Sequence, residues 1–541
     1  MNGLPVKRRT LAVLVALIAI VNPLYSHERP RLVIYVSVDQ MKAEYLEWYR
    51  ETLTGGFARM LSQGTVYTNA DLNFAPSETG PGHAALGTGS YPAHSGIVEN
   101  SSIDPASGKT MYCVEDTDAH AVDGYGGGAS PRNLLVTGLA DWWKLARPAS
   151  KVIAVSLKDR AAILMSGKHP DQVYWYERAS GRMVTSSYYL RHLPGWARLF
   201  NDSDWVARHV PSAWTKLLPD SVYACFGPDE MNGERSVNGS SSFPHPFQQE
   251  KKRDQLAGSP FGDELVLDFA RSAIASERLG QRDVTDLLIL SLSATDYIGH
   301  AYGGNSHEMI DQIVRLDRAL GRFIADAEAL LGPGRVFVAL SADHAAMPLP
   351  EYLVGVRHVP ARRISINTIV HPGIDSLSRT LQALWQLREP AIRSYAFLNY
   401  AVAAAAGVDS LTLERNVREG LRRIDGVAEV YFRRDLLSAA TAVPPLVGDL
   451  QRGFYPSRSR DFVILPCEYC LFTNSATGTS HGTPYPYDTH VPILFWGGGL
   501  NPLTIVRRVH TVDIAPTLAK CFGVSYPQTV DGSPLFEIAP Q

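Results

Sequence analysis

The sequence lacks any excess of positive charge. Its 541 residues include 51 Lys or Arg and 54 Asp or Glu, which give a formal net charge of -3. This balance excludes a strongly basic protein that binds nucleic acid through its phosphates. Low-complexity tracts and evident internal repeats are also lacking, which argues against disordered and repeat proteins. We therefore expect a globular protein that holds any anionic ligand through local groups.

The apolar stretch near the N terminus is too short to cross a membrane. Residues 7–9 are Lys-Arg-Arg, and residues 11–21 are apolar, whereas a transmembrane helix needs roughly 20 such residues. This pattern predicts a signal peptide at residues 1–26 and a catalytic domain at residues 27–541. An uncleaved anchor is the alternative. We expect a periplasmic or secreted protein with no stable membrane insertion after cleavage, and the sequence leaves its oligomeric state open.

Cysteine is scarce, with five residues in the chain. Cys467 and Cys470 form one CxxC motif, and the other three are scattered. A zinc ribbon would need a second pair, and a thioredoxin-like site would need the motif at the start of a helix in a small βαβ unit. Neither context is present. In an oxidising compartment we favour a local disulfide, with two inert thiols as the alternative.

What the chain does contain is four hydrophobic runs that each end in charged or metal-binding residues. They read RLVIYVSVDQ, KVIAVSLKDR, DLLILSLSATDYIGH and RVFVALSADH. Continuous Val, Ile and Leu are typical of buried parallel strands, and open α/β sheets bind ligands at the carboxyl ends of such strands. We therefore predict an α/β fold with a mostly parallel central sheet, helices on both faces, and convergence of the four strand ends.

Two stretches interrupt the alternation of strands and helices. In residues 166–258, aromatic residues mix with Gly, Ser and Pro, and we interpret this stretch as an insertion that covers the site. Residues 350–466 have the pattern of an α+β insertion, after which the sheet pattern resumes with VPILFWGGG. The prediction is thus one catalytic domain with two inserted cap regions.

The residues at the strand ends form a set of candidate metal ligands. Asp296 and His300 are four residues apart and would share one face of a helical turn. The candidates are Asp39, Asp296, His300, Asp343, His344 and His481. A single Asp after a strand is more often a cap or turn residue, but the joint pattern favours metal binding. Three carboxylate or imidazole ligands for each of two zinc-type ions would leave positions open for substrate.

Thr79 is the candidate nucleophile. It precedes Pro81, which suits the first turn of a helix, where free N–H groups favour an anion. On local sequence alone it would be a helix cap, whereas beside a metal pair its hydroxyl can become nucleophilic. Lys158 and Arg160 follow a buried strand and could present two cations to one phosphoryl group, although a solvated charged turn is the usual meaning of such a motif.

Taken together, these motifs resemble the alkaline phosphatase superfamily. Its recurring elements stand in order: DQ at Asp39, TGPGHAALGTGSYPAHSGIVEN, ATDYIGHAYG, SADH, GTSHGTPYPYDTHVPILFWG and the closing TVDIAPTLAKCFGV. The resemblance covers nearly the whole mature chain. It is strongest to the phosphate-irrepressible periplasmic alkaline phosphatases of the type I phosphodiesterase/nucleotide pyrophosphatase-like family, and it implies an alkaline-phosphatase-like core.

The resemblance also implies a site with two Zn²⁺ ions. One would be bound by Asp296, His300 and His481. The other would be bound by Asp39, Asp343 and His344, with Thr79 bridging to it. The implied contacts to the phosphoryl oxygens come from Asn100, Lys158 and Arg160. Asp488 and His490 are candidates for supporting the ligands.

The implied activity is hydrolysis of small-molecule phosphate monoesters through a phosphothreonine intermediate, with release of inorganic phosphate. A phosphodiesterase or nucleotide pyrophosphatase of the same superfamily is the main alternative. A diester carries one fewer charged oxygen and gains little from Lys158 and Arg160, which favours monoesters.

A sulfatase would need a C/S-x-P-x-R element, and a phosphoglycerate mutase would use Ser and carry no export signal. A non-catalytic binding protein would be expected to have lost a ligand or the nucleophile.

Overall fold

The structure is a computed structural model that describes residues 29–104, 108–236, 240–438 and 444–538. The predicted signal peptide at residues 1–26 lies outside the described residues. Within the part of the chain that is described, no helix is both long enough and apolar enough to cross a membrane.

A nine-stranded sheet forms the centre of the protein. Its strands in chain order are Leu32–Val38 (β1), Thr65–Tyr67 (β2), Val152–Ser156 (β3), Gln172–Glu177 (β4), Arg182–Val184 (β5), Asp286–Leu292 (β6), Val336–Ser341 (β7), Ile493–Gly497 (β8) and Leu503–Ile505 (β9). Their spatial order is β9-β2-β8-β7-β1-β6-β3-β4-β5. Strands β7, β1, β6, β3 and β4 are parallel, whereas β8 is antiparallel to both of its neighbours. The predicted mostly parallel sheet is confirmed.

Helices cover both faces of this sheet. They are Gly56–Gln63 (α1), Thr79–Thr88 (α2), Leu139–Ala146 (α3), Asp159–Ser166 (α4), Pro260–Glu277 (α5), Ala294–Tyr302 (α6), His307–Leu331 (α7) and Ile514–Cys521 (α8). Side chains alternate along a strand, so Ile34 and Val36 of β1 join one core with α1, α5 and α7. Val33 and Tyr35 join a second core with α3, α4 and α8. The sequence prediction of helices on both faces is therefore confirmed.

The stretch predicted as the first insertion, residues 166–258, begins with β4 and β5, so the central sheet continues into it. Its helix Gly195–Asp202 packs against α5, with the rings of Trp196 and Phe269 at 4.9 Å. The Trp214 indole donates a hydrogen bond of 2.6 Å to Asp311 in α7. These aromatic side chains extend the hydrophobic core. The interpretation of the stretch as a cover for the site stays a prediction.

The second stretch forms an α+β unit with its own hydrophobic core. It contains the helices His371–Leu384 and Ser410–Leu421 and the antiparallel strands Val427–Phe432 and Phe462–Pro466. Its strand Arg362–Ile364 pairs with Cys470–Phe472, so the unit extends beyond the predicted limit at residue 466. Cys467 and Cys470 lie at this end of the unit and form a disulfide, as favoured from the sequence.

Candidate functional site

Four neighbouring parallel strands, β7, β1, β6 and β3, end at the same edge of the sheet. Asp343 and His344 follow β7, Asp39 follows β1, Asp296 lies in α6 after β6, and Lys158 follows β3. Parallel strands that are adjacent in a sheet end side by side, and this brings the five side chains together although they are far apart in sequence. The predicted convergence of strand ends is present.

The six predicted ligands form one buried cluster. The donor atoms of Asp39, Asp343 and His344 lie within 4.8 Å of one another, and so do those of Asp296, His344 and His481. His300 joins the second group, because its Nε2 lies 3.2 Å from Oδ1 of Asp296. His344 contacts both groups, so the two sets of donors are adjacent.

The three imidazoles are held in the same way, each through its Nδ1 atom. Nδ1 of His300, His344 and His481 lies 2.8, 3.0 and 2.6 Å, respectively, from a backbone carbonyl oxygen. A carbonyl only accepts a hydrogen bond, so each Nδ1 carries a proton. Nε2 of His344 has no hydrogen-bond partner among the described residues. Burial alone would lower the pKa of His300, but the charge of Asp296 beside its Nε2 raises that pKa. Burial lowers the pKa of His344 and His481 and keeps both neutral. Neutral imidazoles with a free Nε2 are suited to bind a metal ion.

The carboxylates also fit a bound cation. Among the described residues, Oδ1 of Asp39 and Nε2 of His344 are buried without a hydrogen-bond partner. Burial and the charge of Asp343 raise the pKa of Asp39 well above its usual range. Buried acceptors without partners are costly, whereas coordination of a divalent ion would satisfy them. The donor set of three carboxylates and three imidazoles is one that zinc accepts.

Lys158 lies between the two groups of donors. Its Nζ is 2.6 Å from a carboxylate oxygen of Asp39 and 2.6 Å from one of Asp296. The ring of Tyr297 lies 5.0 Å from the same ammonium group. Burial alone would raise the pKa of Asp296, but the charges of Lys158 and His300 outweigh it and hold the pKa well below its usual range. The strand before Lys158 therefore delivers this cation into the site.

Thr79 is the first residue of α2, so the helix begins at Thr79 and not after it. Three of the ten helix residues are Gly, a weak helix former, but all ten are buried, so tertiary packing must hold the helix. A Cβ atom on Gly82 would lie 2.3 Å from the carbonyl oxygen of Asp343. Glycine at this position lets the helix that carries Thr79 approach the metal ligands.

Arg160 contacts the candidate nucleophile directly. Its Nη2 donates a hydrogen bond of 3.3 Å to Oγ1 of Thr79. The other terminal nitrogen donates to the hydroxyl of Tyr112 at 3.4 Å. Tyr112 in turn donates to Asp159 at 2.6 Å. The guanidinium is thus held beside Thr79 by a tyrosine that sequence reasoning missed.

Asn100 is held with its amide in one orientation. The N–H of Gly80 donates to its Oδ1 at 2.7 Å, so the Nδ2 end can donate to a phosphoryl oxygen. The Glu78 carboxylate accepts the backbone N–H of Asn100 at 2.6 Å. Burial raises the pKa of Glu78 to about 7. Residues on both sides of Thr79 therefore fix the position of Asn100.

Sequence reasoning also missed Gln40 and His83. The backbone N–H of Gln40 donates to Asp343 at 3.1 Å, and its side chain donates to Asp296 at 2.7 Å, so it links the two groups of ligands. Nδ1 of His83 lies 3.1 Å from Oδ2 of Asp343. Both residues had a signal in the sequence, because Gln40 follows a ligand directly and His83 stands one helical turn after Thr79.

The two candidates for supporting residues differ. Asp488 accepts hydrogen bonds from the backbone N–H and hydroxyl of Thr483 at 2.9 and 2.7 Å, and so braces the loop of His481. Burial raises the pKa of Asp488 to about 7. His490 contacts Glu44 and the carbonyl of Thr68 at 3.0 and 3.2 Å. The structure thus gives Asp488 a supporting contact and directs His490 away from the predicted ligands.

The chain is similar to a known protein family and to several known proteins. Residues 33–484 match the family described as type I phosphodiesterase / nucleotide pyrophosphatase. A protein of Myroides odoratus named calcium-transporting ATPase is 34% identical over 535 residues, which cover 95% of both chains. Alkaline phosphatase PhoV of Synechococcus elongatus is 33% identical over 508 residues, which cover 92% of this chain and 91% of PhoV.

Alkaline phosphatase PafA is similar in both sequence and structure. PafA of Elizabethkingia meningoseptica is 32% identical over 523 residues, which cover 94% of each chain. A crystal structure of PafA superposes with a TM-score of 0.87 and covers 95% of this chain and 99% of its own. The similarity therefore extends over the core and both inserted stretches.

Proposed function

The chain belongs to the type I phosphodiesterase / nucleotide pyrophosphatase family and is a phosphatase, and on this premise we propose that it is an exported, zinc-dependent alkaline phosphatase. It hydrolyses small-molecule phosphate monoesters through a phosphothreonine at Thr79 and releases inorganic phosphate. The observation that carries the proposal is the hydrogen bond from Arg160 to Oγ1 of Thr79, with Lys158 between the two groups of acidic ligands.

We assign the donors to two ions as follows. One Zn²⁺ would be held by Asp296, His300 and His481. The other would be held by Asp39, Asp343, His344 and the Thr79 oxygen. The Nδ1 hydrogen bonds of the three imidazoles, the partnerless Nε2 of His344 and the partnerless oxygen of Asp39 support this assignment. When bound, zinc supplies positive charge that lowers the pKa of a hydroxyl and stabilises a departing oxygen.

The side chains of the site have separate roles in the two steps of the reaction. Oγ1 of Thr79 attacks phosphorus, the bond to the ester oxygen breaks, and the alcohol leaves with a proton. Water hydrolyses the resulting phosphothreonine, which restores the hydroxyl and releases phosphate. Arg160, Lys158 and the Nδ2 group of Asn100 stabilise the phosphoryl oxygens in both steps, where positioning and electrostatics supply most of the catalysis.

The two cations favour a monoester over a diester. A monoester dianion carries two charged oxygens besides the ester oxygen, whereas a diester carries one. Arg160 is fixed beside Thr79 by Tyr112, and Lys158 is buried with its Nζ inside the cluster. A second buried cation is an advantage only for a substrate that brings a second negative charge.

A matched pair of substrates tests this function. Zinc-loaded protein is given 4-nitrophenyl phosphate and methyl 4-nitrophenyl phosphate, which share one leaving group. We expect a strong monoester preference, loss of about 10³-fold or more of kcat/KM in Thr79→Ala, and loss of the preference in Lys158→Ala/Arg160→Ala. Mass spectrometry of acid-quenched enzyme should locate the phosphoryl group on Thr79.

The chain offers a matched control for the double variant. Lys251 and Arg253 have the same spacing on an exposed surface, so Lys251→Ala/Arg253→Ala should keep both the activity and the preference. A diester preference that is indifferent to Lys158 and Arg160 would instead identify a phosphodiesterase. Absence of turnover with both esters would identify a binding protein.

A further inference from the structure

A cavity of about 310 Å³ lies between the catalytic core and the second inserted stretch. The core contributes Pro76, Glu99 and Gly482 to its wall. The inserted stretch contributes mainly apolar side chains, among them Ile366, Val370, Ile374, Phe454 and Phe462. Nothing in the proposed reaction uses this space, although it is of the size that binds small organic molecules.

The cavity adjoins the catalytic residues. Ser77 directly follows Pro76 in the chain, and its Oγ accepts a hydrogen bond of 3.1 Å from the N–H of Gly482. The carbonyl of the same serine accepts from His481, a proposed zinc ligand, at 2.6 Å. On the other side, Glu99 directly precedes Asn100. The immediate neighbours of two catalytic-site residues therefore form the wall of the cavity.

The lining defines the chemistry of an occupant. Val370, Ile374 and Phe462 are buried and offer an apolar surface. Arg460 pairs with Glu99 at 3.1 Å, and its Nε is buried without a hydrogen-bond partner among the described residues. Such a lining, mainly apolar and with its guanidinium paired to a carboxylate, is typical of a site for an organic group and not for a second phosphate.

We propose that this cavity binds the leaving group of the substrate, and that the preferred substrates are phosphate monoesters of bulky apolar alcohols, either aryl or medium-chain alkyl. The inference rests on the proposed function, since it places the phosphoryl group at Thr79. The alcohol portion then reaches the cavity past Pro76 and Gly482, where the apolar side chains of the inserted stretch surround it.

A homologous series of n-alkyl phosphates from ethyl to hexyl tests the proposal. Their leaving-group pKa values are nearly equal, so changes in kcat/KM report contacts of the chain and not its chemistry. Each buried methylene should raise kcat/KM about fourfold. Ile366→Trp, which fills the cavity, should abolish this gain while ethyl phosphate is still hydrolysed, and Val370→Phe provides a second filling variant if the first does not fold.

Ile369→Trp is the matched control, because Ile369 lies in the same helical turn but lines a separate cleft. It should keep the dependence on chain length. Equal kcat/KM across the series, or a gain that persists in a folded cavity-filling variant, would overturn the inference and leave the proposed function intact. Absence of hydrolysis throughout the series would overturn both.

Discussion

Several residues around Thr79 act by fixing the orientation of other site residues. Glu78 is the clearest case, since its carboxylate accepts the backbone N–H of Asn100 without a part in the proposed chemistry. We expect Glu78→Ala to lower kcat/KM about tenfold, because the buried N–H loses its partner and Asn100 is displaced. Glu78→Gln should retain most of the activity, because an amide oxygen also accepts this bond.

Steady-state kinetics of both variants with 4-nitrophenyl phosphate checks this role. Glu47→Ala is the control, since that side chain is exposed and its loss should change nothing. Equal kcat/KM for Glu78→Ala and the wild type would show that Asn100 is held without the carboxylate.

Glu234 is a buried carboxyl group whose effect on stability depends on pH. Burial and the charge of Glu308 raise its pKa from 4.5 to about 9. The folded state therefore keeps a proton that the unfolded chain releases, so the stabilising contribution is complete below pH 4.5 and is lost as the pH rises to about 9. Glu234→Gln cannot ionise and should melt about 2 °C above the wild type at pH 9, with no gain at pH 4.

Thermal denaturation followed by circular dichroism from pH 4 to pH 9 measures this difference. Glu250→Gln, at an exposed position, should follow the wild type throughout. If the melting curves of Glu234→Gln and the wild type run parallel across the range, the Glu234 carboxyl group does not carry a raised pKa.

Some site residues could be identified from the sequence and others could not. The difference lies in whether their role is visible in the local sequence or depends on contacts with distant residues. Asp39, Asp296 and Asp343 were visible because each follows a hydrophobic run, and a ligand-type side chain at a strand end is a local pattern. Tyr112 could not be identified, because its role depends on a hydrogen bond to Arg160, which lies in a different element. Such contacts depend on tertiary packing that no local pattern encodes.

At the scale of elements, the position of α2 relative to β7 sets the distance between the nucleophile and the metal ligands. Gly82 is the point of contact with Asp343. In Gly82→Ala the new methyl group must push the helix away, and displacement by about 1 Å can cost about 10²-fold in rate. We expect a loss of that order in kcat, measured with 4-nitrophenyl phosphate.

Gly195→Ala is the control, because that glycine also lies in the first turn of a helix but a Cβ atom there meets nothing within 4 Å. It should leave kcat unchanged. Zinc content, measured by mass spectrometry of the metal, separates a displaced nucleophile from a disrupted metal site. Unchanged kcat in Gly82→Ala would mean that the helix can shift without moving Thr79.

The elements themselves were only partly predictable. Strands β1, β3, β6 and β7 were recognisable as continuous Val, Ile and Leu runs because both of their faces are buried. Strand β4 reads QVYWYE, and its aromatic residues were attributed to an insertion, although Tyr174 packs on Phe269 of α5. The spatial order of the strands is set by long-range pairing and was not predicted.

In the molecule as a whole, the second inserted stretch is fastened to the segment that carries the nucleophile. Arg458 donates to the carbonyl of Gly96 at 2.7 Å, and Arg460 pairs with Glu99 at 3.1 Å. Arg452 donates to Oδ1 of Asn73 at 2.5 Å. The inserted unit thus contacts the loops before and after α2, the helix that begins at Thr79.

Metal binding should stabilise this whole assembly, because it satisfies a cluster of acceptors that is otherwise costly to bury. Burial holds the pKa of Asp39 high, and its Oδ1 has no hydrogen-bond partner among the described residues.

A ligand at a thousand times its Kd adds about 4 kcal/mol to the free energy of unfolding. We expect about two zinc ions per chain and a Tm that falls by about 5 °C on chelation, with recovery when zinc is returned. Asp39→Asn should bind less zinc and lose less Tm on chelation, whereas Asp283→Asn at an exposed site should behave as the wild type. A Tm that is the same with and without chelator would contradict a structural contribution from the metal centre.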